Sequence, residues 1–159
     1  MGMTALTGQV GCVVDSRGWM GKAIERVTRS RAHHTIVAIS DTHCISAEPH
    51  GARIRPITDY EHVIWSRYNH TEEQAHLVAG LAEYSQHVRY DYLSFIALGW
   101  HFLTGGKIPD KVATWLDDRG ETTCSQLASN IMHAARLGAP DTTVVCPGDW
   151  LNYIQTHHM

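Results

Sequence analysis

Three short β-branched or alternating stretches, HTIVAIS (His34 to Ser40), HCISAE (His43 to Glu48) and ARIRPI (Ala52 to Ile57), follow one another with only DT and PHG between them. A parallel crossover needs a dozen or more residues, whereas an antiparallel hairpin closes in two. Segments this close can pair only as an antiparallel meander, and the Asp-Thr and Pro-His-Gly spacers supply the turns. QVGCVVD (Gln9 to Asp15) reads as a further, buried strand and EHVIWSRY (Glu61 to Tyr68) as another. RGWMGKAIERVTRS lies between the first strand and the meander and sets Met20, Ile24 and Val27 at helical spacing.

The second half changes period. TEEQAHLVAGLAEYSQHV opens with Thr71 and Gln74 in capping-box spacing and places Leu77, Leu81 and Tyr84 down one face. DYLSFIALGWHFLTGG ends at a glycine pair, PDKVATWLDD reads as a short helix, and TTCSQLASNIMHAARLG as a longer one stopped by Gly138 and Pro140. VVCPGDWLNYI reads as a strand entering a proline-started helix, with Cys146 and Trp150 as packing residues. No repeat, low-complexity stretch or linker divides the 159 residues. The expectation is one α+β domain over residues 1–159, an antiparallel sheet packed against helices.

A net charge of −3 with no basic block argues against a nucleic-acid groove or an anionic membrane surface. The longest apolar run, Tyr92 to Leu103, is broken by His101 and falls short of the ~18 residues a membrane span requires, so stable membrane insertion is not expected. Cys12, Cys44, Cys124 and Cys146 show no Cys-x-x-Cys spacing and no secretory leader precedes them, which points to reduced thiols in a cytoplasmic protein. The expected partners are small peptide-like or acyl molecules, with no cofactor. Twelve histidines make pH-dependent behaviour plausible.

Chemistry concentrates around Cys124. In TTCSQL, Thr123 is an N-cap with Gln126 three residues on, which puts Cys124 in the first turn of a helix. Unpaired N–H groups there stabilise a thiolate and can hold an oxyanion. Cys124 also falls in line with Leu127, Ala128, Ile131 and Ala135, the apolar stripe, and a cysteine on such a stripe is most often plain packing. A nucleophilic thiol needs a base, and RAHHTIVAIS offers His33 and His34 at a strand start. Strict alternation allows only one of the two to meet the Cys124 helix. His33, His34, His43, Cys44 and His50 crowd one hairpin, but their spacing matches no recurrent zinc pattern, so metal binding is not expected.

Taken together, AHHTIVAISDTHCISAEPHGARIRPI, YDYLSFIALG and TTCSQLASNIM resemble the permuted papain-like fold, that is, the permuted NlpC-type cysteine hydrolases and their lecithin:retinol acyltransferase relatives. In that group the histidine begins a sheet strand and the cysteine follows far downstream at a helix N-terminus. GQVGCVVDSRGWMGKAIERVTRSRAHH resembles the family's opening strand, helix and basic turn, so the likeness covers nearly the whole chain. It implies Cys124 as nucleophile, His34 rather than His33 as base, and Ser46 as the third residue that orients the imidazole. Relatives tend to carry Glu or His at that last position, and a serine hydroxyl orients a base more weakly. Glu48, two residues on and on the same strand face, substitutes if the hairpin register shifts. Gln9 is a second departure, standing where relatives commonly have Asp.

Tyr90 and Asp91 match a Tyr-Asp pair that borders the family's cleft. Tyr90 is the candidate substrate-binding residue, and Asp91 is better read as the cap of the helix that follows. The implied activity is that of a cysteine peptidase, amidase or acyltransferase that attacks an amide, ester or thioester carbonyl through an acyl-enzyme. Cell-wall peptides are the first substrate class and lipid acyl transfer the second, in a chain of phage-like origin. The competing expectation is a weakly active or inactive binding module on the same fold.

Overall fold

The computed structural model describes residues 6–48, 50–86, 123–141 and 145–157. Among these, five strands form one antiparallel sheet: β1 (Val10–Val14), β2 (Ala32–Ala38), β3 (His43–Glu48), β4 (Gly51–Pro56) and β5 (Val63–Trp65). Their order across the sheet is β4-β3-β2-β1-β5. The described helices are α1 (Trp19–Thr28), α2 (Glu72–Tyr84), α3 (Cys124–Ala134) and α4 (Pro147–Thr156). The chain is therefore α+β. Tyr90, Asp91, the apolar run Tyr92 to Leu103 and the PDKVATWLDD segment lie outside the described residues.

The β2-β3-β4 meander follows from its short connections, and β1 pairs with both β2 and β5. Gly11 is where β1 lies closest to its neighbour's side chains. A Cβ there would stand 2.7 Å from Val63 Cγ1 and 2.8 Å from Trp65 Cζ3, so only glycine lets these side chains close over the strand. β5 is shorter than the eight residues expected, and just beyond it Ser66 and Tyr68 bond to the Gln9 side chain. Ser66 Oγ donates to Gln9 Oε1 at 2.8 Å, and the Tyr68 amide donates to the same oxygen at 2.9 Å.

Helix α2 starts at the Thr71–Gln74 capping box, with both reciprocal bonds formed. Its inward face differs from expectation. Ala75, Val78 and Ala82 are buried and Leu81 packs partly buried against the core, whereas Leu77 is 47% and Tyr84 90% exposed. Both sets have helical spacing, and the one with smaller side chains allows the closer approach to the core.

Helices α2, α3 and α4 share one core with a single face of the sheet, built on Val10, Val37, Ile45, Val78, Met132 and Trp150. Burying Trp150 satisfies its indole, whose Nε1 donates to the Ser125 carbonyl at 3.1 Å. The opposite face carries a second, smaller cluster of Val13, Ile36 and Cys44 beneath Tyr60, Val63 and Trp65. Pro147 opens α4 and Thr123 caps α3, as the sequence leads one to expect. No helix among the described residues is long and apolar enough to cross a membrane.

Candidate functional site

The start of β2 is irregular. Val13 pairs with His34 and Val14 with Ala32, so His33 is the extra residue of a β-bulge. Strict alternation fails there, and the two histidines are assigned by their partners instead. His33 Nδ1 pairs with Glu25 Oε1 of α1 at 3.1 Å. His34 Nε2 meets Ser46 Oγ of β3 at 2.7 Å. Ser46 stands opposite Ile36, so the contact to His34 is a diagonal one between same-face neighbours.

Tyr60, at the end of the 3₁₀ turn Ile57–Asp59, lies over this pair. Its ring centroid is 5.8 Å from that of His34, tilted by 30°. The Tyr60 phenol donates to Glu48 Oε1 at 3.4 Å. Glu48 is held from the other side by Arg55 Nε at 3.3 Å. Burial drives the His34 imidazole down to about 4 against the upward pull of the Glu48 charge, so the ring is neutral at pH 7. His34 Nδ1 has no hydrogen-bond partner among the described residues.

Cys124 is the first residue of α3, beneath the Thr123 cap, whose side chain accepts from the Gln126 amide at 3.2 Å. The β2–β3 register runs from Ile36↔Ser46 to Ala38↔Cys44. The amide of Thr35, the next residue back, is turned to the Cys124 thiol, as are the amides of Ser125 and Cys124 itself. A hydroxyl pair, Thr35 Oγ1 to Ser125 Oγ at 3.0 Å, ties strand and helix together at this point. Burial nonetheless outweighs these amides and pushes the thiol above its ordinary range. The lowered thiol that a helix N-terminus suggests is therefore not the resting state.

The structure joins His34 to Ser46 directly and Glu48 to Tyr60. It brings Cys124 to Thr35, the residue beside His34. Among the described residues no hydrogen bond joins thiol and imidazole. Alternation places His34 and Ser46 on the Tyr60 face and Thr35 on the α3 face, so the thiol meets β2 at its backbone. A cleft of about 160 Å³ opens on the Tyr60 side, with Val13, His33 and His62 in its walls.

The hairpin histidines go separate ways. His43 Nδ1 is 2.9 Å from the Thr42 hydroxyl, and the Cys44 thiol donates to the Arg55 carbonyl at 3.6 Å. Among the described residues no three His, Cys, Asp or Glu side chains gather as metal ligands. Gln9 serves a structural purpose where relatives were expected to carry Asp. Besides its two accepted bonds, its Nε2 donates to the Tyr68 carbonyl at 3.1 Å. Tyr90 lies outside the described residues. Sequence reasoning missed Thr35, Ser125 and Tyr60. The first two immediately follow His34 and Cys124 and were within reach of an argument from adjacency. Tyr60 was not, since nothing local ties a turn residue to β3. No protein-family model matches this chain, and no curated protein matches it in sequence.

Proposed function

We propose that the protein is a cysteine hydrolase or acyltransferase on a circularly permuted papain-like fold, with Cys124 as nucleophile and His34 as base. The observation that carries this reading is the 2.7 Å contact between His34 Nε2 and Ser46 Oγ. It occupies one imidazole nitrogen, leaves Nδ1 unpartnered, and does so one residue from the amide that addresses the Cys124 thiol.

The resting pair is neutral, so the proton moves during attack. Because His34 and Cys124 rest on opposite faces of β2, attack first requires a movement that brings imidazole and thiol together. Then, as Cys124 Sγ bonds to the carbonyl carbon, His34 Nδ1 takes the thiol proton and the carbonyl π-pair moves onto oxygen. The amides of Cys124 and Ser125 at the start of α3 hold that oxyanion. On collapse the bond to the amine, alcohol or thiol leaving group breaks, and His34 returns the proton to it. Water or a second nucleophile then releases the acyl group. Peptide-like amides of cell-wall type are the first substrate class, with fatty-acyl esters or thioesters second.

The test is intact-protein mass spectrometry after exposure to amide, ester and thioester probes. The expected result is one acyl adduct on Cys124 that disappears in His34→Ala. Unchanged acylation in Cys124→Ala overturns the reading. A binding module without turnover is the second reading. It is favoured by the burial of Cys124, 4% exposed, and by the upward shift of its thiol. Absence of any adduct across the panel supports it.

A further inference from the structure

Helix α1 packs on β2 with one face and leaves the other to solvent. Gly21 and Glu25 mark the inward face. Gly21 is buried, and a Cβ on it would stand 2.1 Å from Ser16 Oγ and 3.0 Å from His33 Cδ2. Glu25, the single carboxylate of the helix, turns to the same side, where its Oε1 accepts the Ser16 amide at 2.6 Å and pairs with His33 Nδ1 at 3.1 Å. Residues three and four apart stand above one another on a helix. Trp19, Lys22, Arg26 and the C-cap Arg29 follow that spacing, so they form one line along the outer face. All four are exposed, Trp19 to 81%. Arg17, Arg31 and Arg55 each reach a carboxylate, whereas Lys22, Arg26 and Arg29 have no ion-pair partner among the described residues.

We infer that the outer face of α1 docks on an anionic lipid bilayer: the Trp19 indole enters the headgroup layer, and Lys22, Arg26 and Arg29 lie against the lipid phosphates. Along the chain these cations form no block, because helix turns separate them, and folding gathers them. In a protein of net charge −3 this line is wholly positive, since Glu25 is turned inward. Charge complementarity therefore calls for an anionic partner.

The indole selects among anionic partners. Its apolar body and single N–H suit the boundary between headgroups and acyl chains, and basic side chains beside it complete the pattern of an interfacial helix. A nucleic-acid site would draw on further cations around the helix, but Arg17 and Arg31, which flank α1 in sequence, are held by Glu61 and Asp15. The docking is peripheral, with α1 remaining on the sheet. Each basic residue near an anionic surface is worth about fivefold in affinity, so the three give roughly a hundredfold preference over a neutral bilayer. That is a reversible contact rather than an anchor. It goes beyond the acyl chemistry and holds whether or not Cys124 turns over.

The experiment is co-sedimentation of the full chain with vesicles of phosphatidylcholine alone and of an equal mixture with phosphatidylglycerol, at low ionic strength. Binding to the mixed vesicles is expected to be roughly a hundredfold tighter and to disappear at high salt. Lys22→Gln should weaken it about fivefold, and the triple variant Lys22→Gln, Arg26→Gln, Arg29→Gln should bring it down to the level of the neutral vesicles. Tryptophan emission should shift to the blue on binding, and Trp19→Phe should remove that shift. Equal binding to both vesicles, full binding by the triple variant, or a blue shift that persists in Trp19→Phe overturns the inference. Tighter binding to a DNA duplex than to the mixed vesicles in the same buffer also overturns it and assigns the face to nucleic acid. If the triple variant does not fold, Lys22→Gln and the salt dependence of the wild-type protein decide.

Discussion

Thr35 Oγ1 and Ser125 Oγ lie 3.0 Å apart, so the residue after the candidate base is bound to the residue after the candidate nucleophile. Both side chains are buried. Thr35→Val or Ser125→Ala alone strands a buried hydroxyl and should cost about 1–3 kcal/mol. The double variant removes both groups and should cost less than the two singles added together. Urea denaturation of the four proteins measures the coupling. Strict additivity would mean that the hydroxyls do not interact.

Acylation should persist far into acid. A base acts only when unprotonated, and burial holds His34 down to about 4. The rate of acyl-enzyme formation is therefore expected to be flat from pH 7 to about 5 and to halve near 4, measured with a chromogenic ester in buffers of equal ionic strength. An inflection at 6.5 would indicate a solvated imidazole instead.

Fold stability should fall over the same range. In the unfolded chain His34 takes up a proton near its ordinary 6.5, while in the fold it resists protonation down to about 4. Stability is thus complete above 6.5, declines as pH drops toward 4, and levels off below. The contribution is at most about 1.4 kcal/mol per pH unit. His33 is also lowered by burial and acts in the same sense. Urea midpoints at pH 7.5, 5.5 and 4 provide the test, and His34→Gln should flatten the slope.

Gln9 is expected to resist replacement even by a side chain of similar size. Gln9→Leu leaves the Ser66 hydroxyl and the Tyr68 amide without their shared acceptor and should cost about 2–3 kcal/mol, read as a lower thermal midpoint. Gln9→Glu keeps that acceptor but buries a charge and loses the donor to the Tyr68 carbonyl. Its penalty should shrink as pH falls and the carboxyl protonates.

The meander and the two capped helices were legible because local chemistry fixes them. Turn residues set the spacing of His34 to Ile57, and Thr71 and Thr123 each cap the helix they precede. The inward face of α2 was not legible, because Leu77/Tyr84 and Ala75/Val78/Ala82 repeat at equal spacing and only tertiary packing chooses between them. At the site, Cys124, His34 and Ser46 could be named from the chain. The choice between Ser46 and Glu48 could not, because it depends on a hairpin register, a bulge at His33, and a tyrosine twelve residues beyond Glu48. The thiol's upward shift was equally hidden, since a helix N-terminus is visible in sequence and the depth of its burial is not.

Cys124 is nearly sealed from solvent and held as a thiol rather than a thiolate. Peroxide and other oxidants attack exposed thiolates, so this sulfur is chemically durable at rest. A protein built this way can wait a long time in an oxidising setting without losing its cysteine to sulfenic or sulfonic acid. Shelf life and readiness to react are set by the same few buried atoms.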